Sequence, residues 1–241
     1  MSTIKLVNWN LEWAPPSSAR GSIIREILAE QSADVICLTE AHEDNFPQGY
    51  HVITSHHEYG YPIKPDRRKV LLGSKTPWLT QDNLGNDLLP PGRYICGLTK
   101  SSIGQIRIVG ICIPWSGAHV SSGSRDRVRW QDHEAFLDGF RLTEPVQEDV
   151  PCMIVGDFNQ AIPRTRQPER VATKLEQAFH RMNIITREFE FAGRPTIDHI
   201  AVSKSLRTHA LSALSDTMDG VRLSDHFGLA AEVTRAKPNA S

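Results

Sequence analysis

The stretch "VGDFNQ", Val155 to Gln160, decides how this chain is read. It closes an apolar run, "PCMIV", that has the length and composition of a short buried strand. Side chains alternate along a strand, so residues two apart share a side. Asp157 and Asn159 would then face one place at the strand's C-terminal end, with Gly156 as the expected stop. A carboxylate and a carboxamide aimed at one point can hold a water, a metal ion or a phosphate. Gly, Asp and Asn also form ordinary turns. On the stretch alone both readings stand, and the rest of the sequence must separate them.

The chain has 241 residues, enough to bury a sizeable core. We read one domain over 1–236 and a frayed tail over 237–241. Formal net charge is -1. General nucleic-acid binders are often strongly basic, so nucleic-acid contact would have to use local patches. "RRK" (Arg67–Lys69), "RDRVR" (Arg125–Arg129) and "RTRQPER" (Arg164–Arg170) are the candidates, and each also suits a solvated face. No apolar stretch is long enough to span a bilayer, and "MSTIKLVNWN" lacks signal-peptide architecture. No membrane contact, a cytoplasmic location and a monomer are the simple expectations. Cys37, Cys96, Cys112 and Cys152 all sit in apolar runs without zinc-like spacing. They read as buried free thiols, which suits a reducing compartment.

Strand-like runs dominate: "IKLVNWN", "DVICLT", "YHVITS", "KVLLGS", "RYICGLT", "IRIVGICIP", "CMIVG", "DHIAVS", "LSALS" and "GLAAEV". Three segments carry helical periodicity. Ile23, Ile24, Ile27 and Leu28 form one stripe, and Arg125–Leu142 carries Trp130, Phe136, Leu137 and Phe140. The third runs from Val171 through Leu175, Ala178 and Phe179 to Met182. Helices spaced among many strands predict layered α/β packing, with helices outside sheets.

Polar residues gather at the strand ends. Asn10 and Glu12 follow the first run, Glu40 the second, and Asp157 and Asn159 the run before "FNQ". Asp198 and His199 open one later run, and Asp225 and His226 precede the last. A lone Glu after a strand is usually an exposed loop residue. Five sites of one chemistry are harder to dismiss. Carboxylate and amide oxygens suit a hard cation such as Mg²⁺ or Mn²⁺. A histidine beside carboxylates holds its proton and can meet a phosphate oxygen. An Asp paired with an Asn can orient and deprotonate water. These are the parts that phosphoester hydrolysis uses.

In this order, "WN", strand Glu, "GDFN", "DH" and "SDH", the chain resembles the endonuclease/exonuclease/phosphatase superfamily. The likeness runs from "LVNWNLEW" to "SDHFGLAAEV". "KVLLGSKTPW" is similar to the family's hairpin, and "RVRWQDHEAF" to its Arg/Trp-bearing helix before "GDFN". The resemblance implies a four-layer α/β sandwich of two mostly antiparallel sheets flanked by helices. It implies Glu40 as main metal ligand, supported by Asn10 and Glu12, with Asp225 beside the metal. Asp157 would be the base or water-orienting residue, Asn159 would help bind the phosphate, and His226 would contact it with Asp198 as partner. The implied cofactor is Mg²⁺, or Mn²⁺, and nucleic acid is the implied substrate.

Many relatives place a His or Tyr where this chain has Cys112, which is a poor donor. His119 is the expected replacement from the following loop. Trp115 could stack on a base or pack in the loop, and Arg125 is the basic residue expected to meet substrate. His199 should point away from Asp198 and satisfy a backbone hydrogen bond. His56 and His57 read as surface. Ala41–Lys69 is the longest irregular stretch near the site and is expected to shape substrate choice. Three activities suit the fold: a metal-dependent nuclease, an enzyme for small or lipid phosphoesters with the same site, and a non-catalytic binding module. The last requires lost site residues, and none of those named is missing.

Overall fold

The computed structural model describes residues 2–143 and 149–236. The expected tail, 237–241, lies outside the described residues. The chain opens with β1 (Thr3–Asn10), α1 (Ala19–Gln31), β2 (Val35–His42), a 3₁₀ turn (Glu43–Asn45), β3 (His51–Thr54) and β4 (Arg67–Ser74). It continues through β5 (Trp78–Asp82), β6 (Tyr94–Ser101), β7 (Gly104–Cys112), α2 (Gln131–Phe140), β8 (Cys152–Asp157) and α3 (Glu169–Ala178). The last part holds β9 (Met182–Ile184), β10 (Glu190–Phe191), β11 (Arg194–Pro195), β12 (Asp198–Ser203) and β13 (Leu206–Leu214). β14 (Thr217–Met218), β15 (Val221–Arg222) and β16 (Gly228–Arg235) complete it.

Two six-stranded sheets result, ordered β13-β16-β1-β2-β4-β3 and β5-β6-β7-β8-β12-β9. Each has one parallel pair near its middle, β1 with β2 and β7 with β8. All other pairs in the two sheets are antiparallel. Strand alternation sorts the apolar side chains into three layers of core. Ile4 and Leu6 of β1, Val35 and Cys37 of β2, Met153 and Val155 of β8, and Ile200 and Val202 of β12 pack between the sheets. The opposite face of the first sheet, with Val7, Ile36 and Leu38, meets Ile24 and Leu28 of α1. The opposite face of the second, with Val109 and Ile154, meets Phe136, Phe140 and Leu175 of α2 and α3. Helix, sheet, sheet and helix make the four-layer sandwich that the sequence predicts.

Four expectations need correction. The second helix begins at Gln131, not Arg125, because Trp130 takes a left-handed φ of 73° that breaks the helical path. The third ends at Ala178, and Met182 belongs to β9. Ala41–Lys69 is not irregular throughout: it holds the end of β2, the 3₁₀ turn, β3 and the start of β4. Gly156 does not stop β8 either. It sits inside the strand at φ 145°, where an added Cβ would lie 1.8 Å from the Ile111 carbonyl oxygen. No helix among the described residues is long and apolar enough to cross a membrane.

Candidate active site

The inner-face alternation of three strands runs past the apolar core into polar residues at one end of the sandwich. β1 continues from Ile4 and Leu6 to Asn8 and Asn10, and β8 from Met153 and Val155 to Asp157. β12, read backwards, goes from Val202 and Ile200 to Asp198. Asp157 and Asp198 are direct cross-strand partners, a juxtaposition of like charges that a sheet ordinarily avoids. Glu40 departs from the alternation. Cys37 faces the inner core, yet Ala41 packs on the helix side. The φ of 47° at Glu40 absorbs the slip between them.

Asp157 is buried and fully engaged. Its Oδ2 accepts from Asn10 Nδ2 at 3.0 Å and Asn159 Nδ2 at 2.9 Å, and its Oδ1 from the Asn159 backbone N–H at 2.8 Å. The strand and turn readings of "GDFNQ" therefore both hold. Asp157 ends the strand, Asn159 at φ 53° makes the turn, and the turn returns the Asn159 amide to Asp157. Phe158 faces the other way, against Phe179. Burial raises the Asp157 pKa to about 7, helped by Asp198 and opposed by His226.

His226 Nδ1 lies 2.5 Å from Asp198 Oδ2, leaving Nε2 3.8 Å from Asp225 Oδ1. Burial works against its imidazolium, but the charge and hydrogen bond of Asp198 prevail and lift its pKa to about 10. His226 is therefore a cation at neutral pH, with an Nε2–H to offer. Asn8 Nδ2 donates to Asp198 Oδ1 at 3.2 Å. Ser224 donates to the Asn10 carbonyl at 2.6 Å and accepts the His226 N–H at 3.2 Å. The Trp9 indole donates to the His226 carbonyl at 2.9 Å. Asn8 and Ser224 escaped the sequence reading. The first shares a strand face with Asn10 and the second is the "S" of "SDH", so the signal was present for both.

Glu40 meets a partner the sequence gave no hint of. Lys69 Nζ, on the neighbouring β4, lies 2.5 Å from Glu40 Oε1. The same ammonium sits 4.9, 5.8 and 5.9 Å from the rings of Trp13, Tyr59 and Tyr61, within cation–π range of all three. Glu12 is not turned toward Asp157: its carboxylate pairs with Arg20 at 3.2 Å and Arg222 at 3.1 Å. Asp225 is half-exposed beside His226. His119 stacks on Tyr61 at 4.4 Å and binds Ser124 through Nδ1. Trp115 and Arg125 are exposed in the same loop. Burial raises the Cys112 thiol to about 12, making it an inert apolar neighbour of Asp157.

His199 is the satisfied core residue expected of it. Its Nδ1 takes the Thr186 hydroxyl at 2.9 Å and its Nε2 meets the Gln160 carbonyl at 2.9 Å. The Gln160 side chain then reaches His133 Nε2 at 2.7 Å, while His133 Nδ1 meets the Pro114 carbonyl at 2.7 Å.

The donor set fits a hard divalent cation. The second Glu40 oxygen, the Asp225 carboxylate and the Asn10 amide oxygen are all oxygen donors. Ligand atoms of Asp157, Asp198 and His226 lie within 4.8 Å of one another, but the His226 ring is taken up by Asp198, so the oxygen donors are the ones suited to the ion. The chain belongs to the Endonuclease/Exonuclease/phosphatase family, which it matches over residues 7–226. Its members are hydrolases of phosphoesters, generally dependent on a divalent metal. Solved structures share the fold. A 3'-5' exonuclease (NExo) from Neisseria meningitidis is 18% identical with TM-score 0.69, covering 96% of this chain and 100% of that one. D. rerio TDP2, humanised by 14 mutations, is 12% identical with TM-score 0.72, covering 97% and 100%. A mannosyl-6-phosphatase of Bacteroides thetaiotaomicron is 16% identical with TM-score 0.63, covering 96% and 99%. No curated protein sequence matches the chain.

Proposed function

We propose that the protein is a divalent-metal-dependent phosphodiesterase that hydrolyses nucleic acid, with Asp157 handling the attacking water. The observation that carries this reading is the convergence on Asp157. Asn10 and Asn159 fix both its oxygens, and its pKa near 7 lets it exchange a proton at working pH. His226, held charged by Asp198, offers Nε2–H to a phosphate oxygen and stabilises charge that develops there. Asn159, whose two side-chain amide hydrogens go to Asp157 Oδ2 and the Ile113 carbonyl, would act by holding Asp157 rather than by binding the phosphate itself. Glu40, Asn10 and Asp225 would hold Mg²⁺ or Mn²⁺, with Glu12 acting only through its arginine partners. The bound ion would supply Lewis-acid stabilisation of phosphoryl charge.

End-labelled single-stranded, duplex and abasic-site DNA, and RNA, test this with Mg²⁺, Mn²⁺ or EDTA, using wild type and Asp157→Asn. EDTA-sensitive cutting that disappears in the variant is expected. A folded, metal-loaded protein that cuts none of them sinks the nuclease reading. The second reading, a small or lipid phosphoester as substrate, draws support from the net charge of -1. It draws more from the basic clusters, since Arg68, Lys69, Arg127 and Arg170 are all paired with carboxylates.

A further inference from the structure

A cavity of about 620 Å³ opens beside the site, between the loop carrying Tyr59, the Leu88–Arg93 turn and the start of α2. Arg93 lines it and is 3% exposed. Its guanidinium makes two weak contacts, Nη1 to the Cys112 carbonyl at 3.5 Å and to Cys112 Sγ at 3.8 Å. No carboxylate partners it among the described residues. Arg127, on the same cavity wall, is by contrast neutralised by Asp126 and Asp132. A buried cation without a counter-charge is costly, and an anion that enters its cavity relieves that cost. The donors are matched to one: a guanidinium presents a planar fork that fits phosphate.

The cavity's position says whose anion it is. Cys112, under Arg93, is the cross-strand partner of Asp157. Pro114 lines the cavity, and the carbonyl of Ile113 before it accepts from Asn159 Nδ2 at 2.9 Å. A phosphate at Asp157 and His226 would therefore have this cavity one strand away. We infer that the cavity is a subsite for a second phosphate of the substrate, received by Arg93, so that the protein prefers phosphoesters with a phosphate neighbouring the scissile one. This rests on the phosphoesterase reading above and narrows its substrate class.

The test separates the two. Binding of thymidine 3′,5′-bisphosphate and thymidine 5′-monophosphate is measured by calorimetry in EDTA, so that no turnover is required. Wild type should bind the bisphosphate at least tenfold more tightly, Arg93→Met should lose that advantage, and Arg93→Lys should keep part of it. Ala135→Glu places a negative charge on the exposed rim of the cavity and should abolish the advantage even if Arg93→Met fails to fold. Equal binding of the two nucleotides by wild type, or an advantage that survives Ala135→Glu, overturns the inference. With metal, two substrate pairs distinguish the sources of the second phosphate. One is thymidine 5′-(4-nitrophenyl phosphate) with and without a 3′-phosphate. The other is an oligonucleotide with and without a neutral methylphosphonate beside the scissile bond. A gain in the first pair points to a terminal phosphate and a loss in the second to a strand, each dependent on Arg93. An Arg93-dependent binding advantage without any turnover leaves the subsite standing and removes the phosphoesterase reading.

Discussion

Asp157 and Lys69 show how single residues set the site's chemistry. Ionised Asp157 is held against Asp198 at a buried position, so its charge works against folding. Asp157→Asn is expected to lower turnover about a hundredfold or more, with melting temperature unchanged or raised. A variant within a few-fold of wild-type turnover would remove Asp157 from the mechanism. Lys69→Met leaves the Glu40 carboxylate, a quarter exposed, without its partner. A loss of about 1–3 kcal/mol is expected by urea titration, whereas Lys69→Arg, which keeps the charge, should lose less. An unchanged midpoint for Lys69→Met would mean the pair is incidental. Asp157, Asp198 and His226 could be read in the sequence because each lies at or beside a strand end inside a short motif. Lys69 and Arg93 could not. A lone cation in "RRKVLLGS" or "PPGRY" resembles any solvated residue until a neighbouring strand brings Glu40 or Cys112 beside it.

At the scale of elements, β8 and its neighbours show what alternation foretells and what it does not. The inner positions of β1, β8 and β12 follow from a period of two, and so do the polar ends they deliver. The slip at Glu40 and the early break at Trp130 depend on left-handed backbone at non-glycine residues, which has no periodic signature. Gly156 is the sharpest constraint on β8. Gly156→Ala drives a methyl group into the Ile111 carbonyl at a φ that L residues rarely adopt. Soluble expression or the melting temperature should fall severely, and a well-folded Ala variant would show that β7 can yield. Gln160 binds two buried histidines behind the strand, and burial lowers His133 and His199 to about 4 each. The unfolded chain binds those protons near pH 6.5, so each histidine takes away up to ~3 kcal/mol as pH drops from about 6.5 to 4, while Asp157, raised to about 7, gains stability on protonation over the same range. His226 has the opposite sign: its contribution is fully present below pH 6.5 and lost as pH rises through about 10. His199→Gln should flatten the acid limb in denaturant titrations across that range; an unaltered limb would place the protons elsewhere.

For the whole molecule, charge and connectivity matter most. With Arg68, Lys69, Arg127 and Arg170 of its basic clusters paired with carboxylates, the protein should show shallow salt dependence on nucleic acid. A slope of log K against log salt smaller in magnitude than about three is expected, where heavy phosphate contact would give a steeper one. Replacing His56–Asp66, the irregular part of the long connection, with a Gly/Ser linker removes Tyr59 and Tyr61 from the Lys69 cage. Substrate preference should shift, and unchanged relative rates across the nucleic-acid panel would free that loop from any role in choice. The four layers were legible as strands punctuated by helices, but the sheet order was not, since nothing local tells β1 to pair with β16. That pairing has a consequence in time. Asn10 meets Ser224 and Asn8 meets Asp198 across separations of 214 and 190 residues. β16 must also slot between β13 and β1 before the first sheet is whole. During synthesis the amino-terminal strands emerge long before their partners. A ribosome-tethered chain stalled ahead of β16 should be catalytically silent, and one with β16 clear of the ribosome should not be, so any activity of the site would wait on delivery of that strand.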